Sequence, residues 1–197
     1  MKQIAVKRLQ DRLQPEGFVE IFVYKGKKLV EVIKEKNIIL WQGRAETIKA
    51  ISQTSPFLYE RVINRMVIGD LGTIPADSQV PKVPTPDLLG LYHEIYRKDI
   101  AAKTIVTTFG DNYCQFTATF NASDVPLTSF ANPTQPRVNE VGLVFIDPQV
   151  AVVRPDVYAP NAPQVDEVVA SIRCFKSIPF DLSNDVSVTV RYTLYMV

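Results

Sequence analysis

Residues 186–197, VSVTVRYTLYMV, hold a period of two without a break. Val186, Val188, Val190, Tyr192, Leu194 and Met196 fall on one face, and Ser187, Thr189, Arg191, Thr193 and Tyr195 on the other. Such alternation specifies a β-strand with one face in a core and the other toward water or a neighbour. Residues 168–175 (VVASIRCF) alternate as well, and the Pro, Ser, Asn and Asp of 176–185 (KSIPFDLSND) turn a chain around. The pair reads as a closing β-hairpin with a ten-residue connection. The chain then ends inside a sheet, which is a structural ending.

The same period recurs upstream. Residues 17–24 (GFVEIFVY) and 29–33 (LVEVI) flank Lys25, Gly26, Lys27 and Lys28, where Gly26 is free to take a positive φ, and the spacing predicts a β-hairpin. Residues 61–68 (RVINRMVI), 104–109, 113–120 and 138–146 read as further strands, joined by segments rich in Pro, Asn and Asp. Between residues 37 and 53 the character changes. Ala45, Ile48 and Ile51 recur at helical spacing with Glu46 and Lys49 opposite, and Gly43 opens that helix. Residues 88–99 fit either a helical turn or a strand.

This succession of strands, with no alternating helices after residue 100, indicates a mainly β protein. The expected architecture is an antiparallel β-sandwich or barrel-like domain with one or two short helices in the N-terminal half. Residues 1–15 form an N-terminal amphipathic arm with a stripe of Ile4, Val6, Leu9 and Leu13 that packs on its own domain or reaches onto a partner. Residues 16–197 form a single β-rich domain with long loops at 69–86, 121–136 and 147–164. The first of these, GDLGTIPADSQVPKVPTP, is too long and too polar to form its own core, so it is expected to be contact surface and dispensable for folding.

Bulk properties exclude several classes of function. A net charge of +1 supplies no overall field for nucleic acid or an anionic membrane, and no apolar stretch reaches the roughly 18 residues of a membrane helix. The N-terminus lacks the apolar core of a signal peptide, so the chain is expected to be made in a cytoplasm. The charge is nevertheless uneven. Residues 1–49 carry eleven Lys or Arg against six Asp or Glu, and the remainder eleven against fifteen. A basic front and an acidic rear either meet head to tail in an assembly or are solvated on unrelated faces.

The residues that carry chemistry are sparse. Cys114 and Cys174 are the only cysteines, both within strands, and read as buried free thiols. With one histidine, His93, the chain cannot supply a closed tetrahedral metal set at a recognisable spacing. There is no G-x-S-x-G, phosphate loop or G-x-G-x-x-G. His93 sits between Tyr92 and Glu94 in LYHEIYR and reads as an ordinary, partly buried residue. Glu94 with Glu140 or Asp111 could make a glycosidase-like carboxylate pair, but any chain with 21 acidic residues contains such pairs. The lysines of 25–28 decorate a hairpin tip and do not mark a nucleic-acid groove.

Several phrases in order resemble a bacteriophage virion protein of the tail, collar, neck or baseplate-connector kind. They are Asn37 with Gly43 and Arg44, then Met66 to Asp70 (MVIGD), Leu91 with Glu94 and Arg97, Asn139 to Phe145 (NEVGLVF), and Phe175 to Phe180 (FKSIPF) before the long strand. Together they span residues 37–197. The resemblance implies a β-rich adaptor without catalytic activity and without a cofactor, repeated around the symmetry axis of a virion. Fibre proteins continue past such a module into long shafts, whereas this sequence stops at Val197, which favours a collar, neck, baseplate or decoration component.

The expected function is therefore non-enzymatic. Partners would be further copies of the chain and other virion structural proteins, with no nucleic acid and no membrane. The assembly contacts expected are Ile4, Leu9, Leu13, Ile74, Val80, Val83 and Phe130. The alternative is a ligand- or carbohydrate-binding sandwich whose site is lined by loops 69–86 and 121–136.

Overall fold

The computed structural model describes residues 16–51, 61–108, 111–146 and 167–195. The expected N-terminal arm, with Ile4, Leu9 and Leu13, and the expected loop at 147–164 lie outside the described residues. Within them the protein is mainly β, with two five-stranded antiparallel sheets packed as a sandwich. The one α-helix among the described residues lies in the N-terminal half. No helix among these residues is long and apolar enough to cross a membrane.

The strands follow in chain order: β1 (Glu16–Lys25), β2 (Lys28–Lys36), β3 (Ile38–Ile39), helix α1 (Trp41–Ile51), β4 (Val62–Gly69), β5 (Thr73–Ile74) and β6 (Asp77–Pro81). After them come β7 (Glu94–Asp99), β8 (Ala102–Thr108), β9 (Asp111–Asn121), β10 (Arg137–Ile146), β11 (Glu167–Pro179) and β12 (Val186–Tyr195). The first sheet runs β2-β1-β12-β9-β8 and the second β3-β11-β10-β4-β7. A small hairpin of β5 and β6 forms its own ladder and packs against β11.

The pattern of two does its expected work in the first sheet. Val19, Ile21 and Val23 of β1 and Val186, Val188, Val190 and Tyr192 of β12 are buried, and pack with Phe116, Ala118 and Phe120 of β9. The second sheet answers with Met66, Ile68, Val141, Leu143, Phe145 and Phe175. Burying each such side chain stabilises by about 1.5 to 3 kcal/mol, so this interior is the main source of stability. At the β1–β2 turn Gly26 does take a positive φ, and its N–H donates to the carbonyl of Asp185.

One expected pairing is wrong. β11 and β12 do not form a hairpin, because they belong to different sheets. β12 is the middle strand of the first sheet, bonded to β1 and β9, while β11 is bonded to β10 and β3. Residues 180–185 carry the chain across the sandwich, with Phe180 buried in the core on the way. Alternation fixes which face of a strand is buried and is silent about its neighbours.

The second sheet is covered on both faces. In β10 every residue from Val138 to Phe145 is buried, a run that one packed face cannot produce. Its outer side, with Val67, Val144, Ile172 and Cys174, lies under α1 and the segment that follows β4. Helix α1 starts at Trp41, before the expected opening at Gly43, and it presents a different face from the one its apolar spacing suggests. Gly43 lies against β11, where a Cβ would sit 2.1 Å from the Ala170 carbonyl oxygen, and Glu46 is buried beside Lys49 and Arg61. Ile48 is left 64% exposed. Close backbone approach, possible only at glycine, overrides the weak apolar stripe.

Candidate functional site

Asn139 and Glu140 are the two polar residues inside the otherwise apolar strand β10, and both are buried. A β-bulge against β11 between Val138 and Glu140 interrupts the alternation there, and both side chains reach the segment after β4. The Asn139 side-chain oxygen accepts from the Gly72 N–H at 2.7 Å. Its amide nitrogen donates to the Asp70 carbonyl at 3.1 Å, to Thr73 Oγ1 at 3.2 Å and to Ser177 Oγ at 3.0 Å.

Glu140 closes the other end of the same segment. Its Oε1 accepts from the N–H groups of Leu71 at 2.9 Å and His93 at 3.2 Å, and its Oε2 from that of Tyr92 at 2.6 Å. Residues 70–93 thus form a cap whose two ends are tied to adjacent positions of one strand. The chain comes so close at Gly72 that a Cβ there would lie 2.3 Å from Glu140 Cγ and 2.5 Å from the Asn139 carbonyl oxygen. The segment expected to be a dispensable loop carries the β5–β6 hairpin and is part of the fold. Sequence inspection missed it because its strands are short and interrupted by proline.

Asp70 and His93 complete the cluster. Their Oδ1 and Nδ1 atoms lie 2.5 Å apart, and Asp70 Oδ2 accepts from the Ala131 N–H at 2.7 Å. The cap is further fastened by Lys82, whose ammonium donates to the Leu71 carbonyl at 2.6 Å and sits 4.2 Å from the centre of the Tyr92 ring. Burial pushes the Glu140 carboxyl up to about 7, against the opposing pull of the Tyr92, Leu71 and His93 N–H groups and the Lys82 charge. Burial, and then the Glu140 charge, pushes the Cys174 thiol up to about 12.

The chemistry of this arrangement is that of a fastening. Glu140 is 0% exposed and its oxygens are occupied by backbone donors, so it presents nothing to a substrate. Glu94 and Glu140 are not arranged as a carboxylate pair, since Glu94 is bound through Nε and Nη2 of Arg97 while Glu140 lies beneath the cap. The side chain of Asp111 lies outside the described residues. Glu94, Arg97, Arg65, Asp99 and Glu167 form a second ionic cluster, in which Glu167 takes Arg65 at 2.6 Å and also binds Arg97. Among the described residues no group of three His, Cys, Asp or Glu could hold a metal ion. Cys114 and Cys174 are free thiols, the first half-buried and the second buried.

The residues expected to make assembly contacts divide. Ile74, Val80 and Val83 are exposed, Val83 at 80%. Phe130 is not available: it is 4% exposed and packs against Phe180 with ring centres 6.4 Å apart, inside the core. The same burial removes the single aromatic of loop 121–136 from the expected ligand site. Other exposed apolar residues were missed, among them Trp41 at 65% and Leu89 at 82%. Their backbone segments are tied together, because the Trp41 N–H donates to the Pro86 carbonyl at 2.8 Å and Gln42 Nε2 to the Leu89 carbonyl at 2.9 Å.

No family model and no curated protein sequence matches this chain.

Proposed function

We propose that this protein is a non-enzymatic structural component of a phage particle, of the tail, collar, neck or baseplate-adaptor kind. It acts by symmetric self-assembly and by contact with other virion proteins. The observation that carries this reading is the junction of α1 with the cap, where Trp41 and Leu89 are 65% and 82% exposed on segments tied together by hydrogen bonds. Large exposed apolar side chains fixed in place by the fold are what a protein interface uses as anchors. The phrases behind the phage resemblance support it from another side. MVIGD supplies Asp70, the Leu91 phrase runs through the cap to Glu94 and Arg97, NEVGLVF supplies the two fastening residues, and FKSIPF supplies Ser177. They come together as architecture.

Sedimentation velocity tests the reading. The wild-type protein should assemble with rising concentration, and a W41D/L89D double variant should stay monomeric with an unchanged melting temperature. Repeating the runs from about 50 mM to about 1 M salt separates apolar from ionic contact, since exposed charge is screened over roughly 8 Å at physiological ionic strength. A wild-type protein that stays monomeric throughout, and is absent from cryo-electron maps of the particle whose genome encodes it, sinks the proposal.

A further inference from the structure

We propose that β8 is a self-complementary edge: in the assembled protein the β8 strands of two copies pair antiparallel about a two-fold axis centred on Ile105, joining their first sheets into one. This deepens the self-assembly proposed above and rests on that reading for the presence of a second copy. Two five-stranded sheets have four edges, here β2, β8, β3 and β7. An edge strand carries a row of N–H and C=O groups with no partner in its own sheet, and proteins blunt it with charge, a bulge, short length or a cover.

Three of the four edges are blunted. β2 carries Lys28, Glu31, Lys34, Glu35 and Lys36 among its nine residues, and its Glu31 and Glu35 are ion-paired to Lys176 and Arg173 of β11 across the side of the sandwich. β7 carries Glu94, Arg97, Lys98 and Asp99 among its six, and its register against β4 shifts between Ile68 and Gly69. β3 is two residues long. Among the described residues β8 has none of these devices. It runs for seven residues in unbroken register with β9, and its sequence, AKTIVTT, is mostly β-branched with a single ion. That ion, the Lys103 ammonium, is engaged by Asn64 Oδ1 of β4 at 2.5 Å.

Ile105 shows that the free side of β8 wants a neighbour. It lies opposite Cys114, on the side of the sheet where Phe116, Ala118 and Phe120 of β9 enter the core, so the period of two assigns it to the interior. It is nevertheless 71% exposed, with Ala102, Lys103, Thr104 and Thr107 exposed around it. A second β8 fits this edge. Antiparallel pairing centred on Ile105 sets Ile105 against Ile105, Thr104 against Val106 and Lys103 against Thr107, so β-branched side chains meet and the two lysines do not face each other. The chain's other edges do not fit: β2 is tied to β11, β7 is mostly charged and β3 is too short. Seven residues a side is small beside the roughly 20 to 30 of a standard interface, so the contact does not hold a dimer alone. It forms between copies that Trp41 and Leu89 already hold together, where the effective concentration of the second strand is high.

The test follows Ile105 variants beside the wild type in sedimentation velocity. I105E and I105K should each keep the wild-type melting temperature, because the side chain is exposed, and each should raise the concentration for half-assembly about tenfold or more by setting like charges opposite each other. An equimolar mixture of the two should recover wild-type assembly, a rescue that a residue paired with its own copy gives. In the wild-type chain, with no substitution to disturb folding, hydrogen exchange should show the β8 amides turned away from β9 gaining protection as the protein assembles. A wild type that assembles while both single variants assemble equally well, a mixture no better than its components, or β8 amides unchanged on assembly overturns this proposal and leaves the self-assembly reading standing. A wild-type chain that never associates overturns both.

Discussion

The hydroxyl of Tyr192 donates to the backbone carbonyl of Val141 at 3.3 Å, and both residues are fully buried. Tyr192 lies on the middle strand of one sheet and Val141 on the middle strand of the other. The contact therefore runs through the centre of the sandwich and fixes one sheet's position on the other. Apolar packing alone has no such directionality. The same surroundings push the phenol's pKa up, burial first, so the hydroxyl stays a donor at any pH the fold survives.

Tyr192→Phe should remove the hydrogen bond while keeping the ring, at a cost of about 0.5 to 1.5 kcal/mol. Tyr192→Ala should cost about 3 to 5 kcal/mol, because a large ring leaves a cavity between two packed faces. Urea unfolding measures both. If the Phe variant lost as much as the Ala variant, the ring would be contributing little and the account of the core would be wrong.

How much of this was legible beforehand depends on which physical rule decided each element. The burial of alternate residues in β12 and β1, and the turn at Gly26, follow from local periodicity and from a glycine's access to positive φ, and both can be read from single segments. The partner of β12 could not be read so, because Val168 to Phe175 and residues 17–24 alternate equally well and only the closed topology chooses between them. The helix failed differently. Its buried side was set by Gly43 against Ala170, a contact between residues 127 positions apart, and not by Ala45 and Ile48. The cap was legible only indirectly. Asn139 and Glu140, two polar residues standing in a run of Val, Leu, Phe and Ile, were the available sign that something polar must meet them there.

Gly72→Ala should destabilise by about 1 to 3 kcal/mol, since the added methyl would meet Glu140 and the Asn139 backbone and neither can retreat without breaking the fastening. Replacing residues 69–86 with a short Gly-Ser linker should do more. It would leave Glu140 and Asn139 without their Leu71, Gly72 and Thr73 partners and bare the outer face of β10. Thermal melts check both. A linker variant melting at the wild-type temperature would show that the cap is an appendage after all.

Deleting residues 186–197 should abolish cooperative folding. β12 separates the β2–β1 pair from the β9–β8 pair, and without it the first sheet falls into two ribbons with unpaired inner edges. Four side chains, Val186, Val188, Val190 and Tyr192, leave the core with it. At about 1.5 to 3 kcal/mol each they amount to roughly 6 to 12 kcal/mol, against the 5 to 15 kcal/mol by which a domain is typically stable. The lost ladder hydrogen bonds and the Tyr192–Val141 contact push in the same direction. A synthetic peptide of residues 186–197, added to the truncated chain, should restore near-ultraviolet circular dichroism by filling the slot between β1 and β9. A truncated chain that melts cooperatively near the wild-type temperature would mean that the first sheet closes without its middle strand, which this topology does not allow.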